Sequence, residues 1–176
     1  MLLYRILVIS FLLISTSSCG FQPMYDNGDS GKKSLVSMPN IEVKNIPDRN
    51  GQFLRNAIID QLYLDGRPSS SLYDLKLSPL VTKIHNIGIR KDASATRAQV
   101  QLSSTMQLIE KSSGKVVLER YLKTLGSYNL LDNQFAALVS KESTIDNILK
   151  DMANDVINEL NLHFHSVNKN KRLFTR

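Results

Sequence analysis

The 176-residue chain has one cysteine, no tryptophan and only 7% aromatic residues. A single thiol, Cys19, excludes an intrachain disulfide and a cysteine-based zinc site. With so few rings the core must be aliphatic. The longest apolar run, Ile6 to Ile14, is broken by Ser10 and falls short of the roughly 20 residues a membrane-spanning helix needs. No repeat recurs along the chain. Glycine-rich phosphate loops are lacking, since Gly88 and Gly114 stand alone, and no serine sits in a G-x-S-x-G elbow. His163 and His165 form an H-x-H at the end of a helical pattern. There, side chains two apart point about 200° from one another and cannot share a metal ion. These absences argue against an enzyme, a metal site and a bound cofactor.

What is present begins with the N-terminus. Arg5 precedes the apolar run, and the small residues Ser15 to Ser18 follow it, as in a signal peptide. Ser17-Ser18-Cys19-Gly20 resembles a bacterial lipobox, with Thr16 where an aliphatic residue is usual. That resemblance implies cleavage after residue 18 and a diacylglycerol and N-acyl chain on Cys19. These lipids would be the only groups added to the chain. Several acyl chains, each contributing about 0.8 kcal/mol per buried CH₂, would tether the mature chain to a membrane leaflet. Gly20 in place of Asp after the cysteine points to the outer membrane.

The formal charge is +6, and +5 once residues 1–18 are removed. Lys169, Lys171, Arg172 and Arg176 supply most of the excess, so residues 166–176 read as a basic C-terminal tail. The tail holds one Phe and no interleaved stacking aromatics, which argues against nucleic acid as a partner.

Between these ends, 42% hydrophobic and 22% charged residues are ordinary for one globular domain. Residues 19–40 form the lipidated start and a Gly/Pro/Ser/Asn linker, and residues 41–165 the domain. Ile41 to Ile46 alternates apolar and polar, predicting a short strand. Asp48 or Asn50 caps a helix running to about Leu64, with Leu54, Ile58 and Leu62 on one face. Tyr73 to Leu77 predicts a strand, and Pro79 a bulge or edge. Val100, Leu102, Met106 and Leu108 alternate with Gln99, Gln101, Thr105 and Gln107, giving a strand with a polar outer face. Ser112-Ser113-Gly114-Lys115 turns the chain back through Val116 to Leu122 as a hairpin. From Gln134 to His163 the period becomes helical, with Ile145, Ile148, Leu149, Met152, Val156 and Leu160 on one stripe. The order β-α-β-β-β-α predicts an α+β fold: two helices on one face of a roughly four-stranded, mainly antiparallel sheet.

The stretch Ile87 to Arg97 carries Arg90, Lys91 and Arg97 against one acid, Asp92. A cation cluster at a strand-to-strand loop can hold phosphates through bidentate guanidinium contacts. His85, nearby, reads as a surface histidine.

Cys19-Gly20-Phe21-Gln22-Pro23-Met24-Tyr25, the helix segment Gln52 to Asp60, the stretch Gly88 to Arg97 and Ser127 to Asp132 together resemble the lipopolysaccharide-assembly lipoprotein family LptE. The matches run in order over most of the mature chain. The resemblance implies an outer-membrane lipoprotein facing the periplasm, with two helices against a four-stranded sheet. It also implies two partners, a large LptD-like β-barrel that such proteins plug and help assemble, and lipopolysaccharide. On this view Arg90, Lys91 and Arg97 meet lipid A phosphates or acidic barrel residues, and the glutamine-rich strand face suits a wet barrel lumen. A stand-alone lipid carrier is the alternative; it requires a sizeable apolar cavity between sheet and helices.

Overall fold

The structure, a computed structural model, describes residues 40–63, 66, 68–89, 95–130 and 133–174. The elements run β1 (Ile41–Val43), α1 (Asp48–Leu62), β2 (Tyr73–Leu77), β3 (Val81–Ile89), β4 (Ala95–Glu110), β5 (Val116–Asn129) and α2 (Gln134–Phe174). The expected α+β class holds, with a five-stranded mixed sheet rather than four strands.

β4 is the spine. β5 runs antiparallel along one of its edges, while β2 and β3 share the other edge end to end. β1 adds to β2 in parallel, which requires the α1 crossover between them. The step from β2 to β3 occurs at Ser78 and Pro79. Pro79 has no N–H to give the ladder, and serine side chains take over there. The Ser104 hydroxyl donates to the Ser78 carbonyl at 2.8 Å, and Ser78 Oγ accepts from the Thr105 N–H at 2.9 Å.

The additional strand is β3. Its residues Val81 to Asn86 are exposed on both faces, so burial never imposed an apolar–polar alternation on them. The second difference lies in α1. Its N-cap position is Pro47, no side chain caps it, and Asp48 adopts φ 68°. Instead Gln52 reaches back, its amide donating to the Ile46 carbonyl and to Asn45 Oδ1. The helix start is thereby held from within rather than by Asp48 or Asn50. α2 begins where Asn133 Oδ1 accepts from the N–H groups of Phe135 and Ala136 at 3.0 and 3.2 Å. It continues past His163 to Phe174, roughly 60 Å of helix.

Alternation along β4 and β5 decides the two faces of the sheet. Ala98, Val100, Leu102, Met106 and Leu108 point toward the helices, with Leu118, Leu122 and Tyr128 beside them, and all are buried. Leu54 and Ile58 of α1 and Ile148, Leu149, Met152 and Leu160 of α2 complete the core, each exposed by 2% or less. Tyr73 meets Phe164 edge-on at 5.4 Å between ring centres. Burial of each such aliphatic chain is worth about 1.5–3 kcal/mol before entropy is counted. α2 also crosses β5 closely at Gly126, where a Cβ would lie 2.7 Å from Ile148 side-chain atoms. In the β4–β5 turn Gly114 adopts φ 67° and its N–H donates to the Glu110 carbonyl at 2.8 Å.

Candidate functional site

Cys19, Arg90 and Lys91 lie outside the described residues, as does the proposed signal and most of the linker. Of the predicted phosphate-binding cations, Arg97 is described. It is exposed on β4, opposite Ile87 of β3 and Asn129 of β5. His85 is exposed on β3 opposite Gln99. His163 and His165 are both in α2; His163 is half-buried and its pKa is lowered by desolvation and then by the Arg120 charge. No cluster of three or more metal-ligating side chains occurs among the described residues. No described helix is long and apolar enough to cross a membrane.

Because the helices share one face, the other face of the sheet has no element upon it among the described residues. The register places Arg97, Gln99, Gln101, Ser103, Thr105 and Gln107 along its centre. Val81 of β3 and Lys123 of β5 flank Ser103 from either side. Tyr121 and Leu125 stand two positions before and after Lys123, on the same side of the sheet. Val81, Tyr121 and Leu125 are 52%, 66% and 47% exposed, while Ser103 between them is 4% exposed. The amide-rich face thus carries three exposed apolar side chains around Ser103 and Lys123. Exposed apolar side chains set around Lys123 and Ser103 in an amide-rich face can serve as anchors in a contact surface.

The Arg97 end of the sheet has a second feature that sequence reading did not identify. β5 ends at Asn129, level with Arg97, and α2 starts a few residues on. Phe135, Leu138 and Val139, at helical spacing in its first turns, are 74%, 54% and 51% exposed. Arg97 on the open face and these apolar side chains of α2 on the helix side therefore share one end of the domain. The signal was present in the sequence as Phe135, Leu138 and Val139, but their exposure depends on how far α2 overhangs the sheet.

At the other end of β4 is an ion-pair network. Lys111 Nζ lies 2.6 Å from Glu42 and 3.2 Å from Asp74, and Lys44 Nζ lies 2.9 and 3.3 Å from the same two carboxylates. The Ser71 hydroxyl donates to Glu42 at 3.1 Å. Hydrogen bonds from Lys111, then Lys44 and Ser71, hold the Glu42 carboxyl at about 2, below its usual 4.5. A depressed carboxyl stabilises the fold above its unfolded pKa, and that contribution is lost as pH falls from about 4.5 toward 2. The network joins β1, β2 and the β4–β5 turn. Accordingly, Glu42→Gln is expected to flatten the decline in urea midpoint between pH 5 and pH 2.5, and an unchanged decline would dismiss this role.

A scan against protein-family models and a search of curated proteins return no match. Among solved structures, the chain is similar to a minor lipoprotein from Acinetobacter baumannii, with a TM-score of 0.56 at 17% identity, covering 73% of this chain and 95% of that one. It is similar to a Caulobacter crescentus protein described as a lipoprotein, with a TM-score of 0.55 at 20% identity, covering 72% and 91%. An uncharacterized lipoprotein B from Nitrosomonas europaea gives 0.50 at 11% identity, covering 68% and 80%. At these identities the comparisons establish a shared fold: this chain folds as several bacterial lipoproteins do.

Proposed function

We propose that the chain is a non-enzymatic, lipid-anchored subunit of the lipopolysaccharide transport machinery of the outer membrane. It faces the periplasm, docks into an LptD-like β-barrel, assists the assembly of that barrel and binds lipopolysaccharide. The observation that carries this reading is the uncovered sheet face, amide-rich with Val81, Tyr121 and Leu125 at its centre. A barrel lumen is wet and lined by polar side chains, so an amide face with a small apolar patch matches it better than an oily one would. The cationic and apolar end formed by Arg97, Phe135, Leu138 and Val139 suits the phosphates and acyl chains of lipid A. The likeness in fold to bacterial lipoproteins and the Cys19 motif support the anchor.

The test is purification of the full chain from detergent-solubilised outer membrane. A stoichiometric large β-barrel partner is the expected result. A monomer carrying extractable lipid would replace it with the stand-alone carrier, and a monomer without lipid would leave only the fold in common. Cys19→Ala is expected to move the protein from the membrane fraction to the soluble one. If that variant remained membrane-bound and lipidated, the anchoring site would lie elsewhere.

A further inference from the structure

Beside the ion-pair network a half-open pocket of about 560 Å³ lies among β1, α1 and the segment leading into β2. Arg55 of α1 lines it, with Tyr63, Ser69, Ser70, Ser71 and Lys111. Three properties of Arg55 bear on a ligand, the second of them shared with most described cations. Its Nε is buried with no hydrogen-bond partner among the described residues, an arrangement native proteins rarely leave unanswered. It makes no ion pair among the described residues. It also faces a run of three consecutive serines, two of which, Ser69 and Ser70, are exposed and form no hydrogen bond among the described residues.

The nearby negative charge of the described residues is already matched. Glu42, which lines the pocket, and Asp74 are both held by Lys44 and Lys111, and Ser71 donates to Glu42. Among the described residues two carboxylates face two ammonium groups, which leaves Arg55 as the surplus cation of the pocket there. The Tyr63 hydroxyl donates to the Ile41 carbonyl at 2.8 Å, which fixes its ring as wall rather than as a free donor. A guanidinium fork, serine hydroxyls and an apolar wall from Tyr63, Val43 and Pro68 are what a tetrahedral oxyanion on a small carbon body would meet.

We infer that Arg55 and the Ser69–Ser71 run bind a small phosphate-bearing ligand, the guanidinium taking two phosphate oxygens and the serine hydroxyls the others. The volume admits a phosphate monoester of sugar or polyol size and is too small for a multi-acyl lipid. Arg97 stands at the opposite end of β4, roughly 45 Å away at about 3.3 Å per residue. The site is therefore separate from the one in the proposed function and does not depend on it.

Calorimetric titration of the detergent-solubilised full chain at constant ionic strength tests this, with inorganic phosphate, glycerol 3-phosphate and glycerol as probes. Both phosphates should bind and glycerol should not. Tighter binding of the ester identifies an organic phosphate as the ligand, and equal binding identifies free phosphate. Arg55→Gln should weaken binding at least tenfold, and Arg55→Lys should weaken it less, since it keeps the charge and loses the fork. Ser70→Ala, at an exposed position that cannot unfold the domain, should weaken it about threefold, and Arg97→Gln should leave it unchanged. No binding by either phosphate, or full binding by Arg55→Gln or by Ser70→Ala, would overturn the assignment.

Discussion

Replacing Gly126 by valine is expected to destabilise the fold by about 2–3 kcal/mol, the cost of forcing extra carbon into a filled core. A Cβ there would approach Ile148 Cδ1 and Cγ1 to 2.7 Å and Thr144 Cγ2 to 2.8 Å. Ile148 is 2% exposed and cannot swing into solvent. The Thr144 hydroxyl is tied to the Ser140 carbonyl at 2.8 Å, which keeps its methyl in place. Relief would require α2 to lift from β5, and α2 also carries Leu149, Met152 and Leu160 of the core. The melting temperature should fall by roughly 10 °C. Ile148→Ala alone should cost about 2–5 kcal/mol through its cavity. The double variant should be more stable than the sum of the two predicts by about 0.5–3 kcal/mol, because the valine fills the space the isoleucine left. Additive losses in chemical denaturation would show that the two positions do not press on one another.

Tyr121→Asp combined with Leu125→Asp is expected to reduce co-purification of the proposed barrel partner at least tenfold while leaving the melting temperature within a few degrees. Both side chains point away from the helices and are largely exposed, so the fold loses little when they change. In a docked complex they would be the central apolar contacts, and central aromatic anchors carry most of the energy of an interface. A buried carboxylate without a partner adds a further penalty. Lys123 stands between the two positions and, in the free protein, partly offsets the added charge. Unchanged co-purification would move the docking surface off this face. Loss of thermal stability as well would mean the face is structural.

The contrast between β3 and β4 explains what could be read from the chain alone. β4 is half-buried, so its alternation of Val100, Leu102, Met106 and Leu108 with glutamines and threonine was legible, and so were its hairpin turn and polar outer face. β3 is exposed on both faces and carries no such code; only pairing to β4 makes it a strand. The same logic applies at α1. The sequence offers Asp48 and Asn50 as caps, yet packing of Ile46 and the reach of Gln52 set the start of the helix.

Among candidate sites, local chemistry marked Cys19, Arg90, Lys91 and Arg97, because a lipobox-like motif and a cation run are contiguous. The patch of Val81, Tyr121 and Leu125 is not contiguous. It exists because antiparallel register sets β3 and β5 on either side of Ser103. The Arg55 pocket likewise joins a helix, a strand and a serine run from separate parts of the chain.

By itself, then, the sequence determined the aliphatic core, the two-helix α+β class, the hairpin and the motif at Cys19, since each rests on residues adjacent or at a fixed period. Only the tertiary structure decided which face of the described sheet stays open, where α2 overhangs, and which residues line a pocket with Arg55. Those are relations between segments far apart in the chain, fixed by strand register and close packing rather than by local preference.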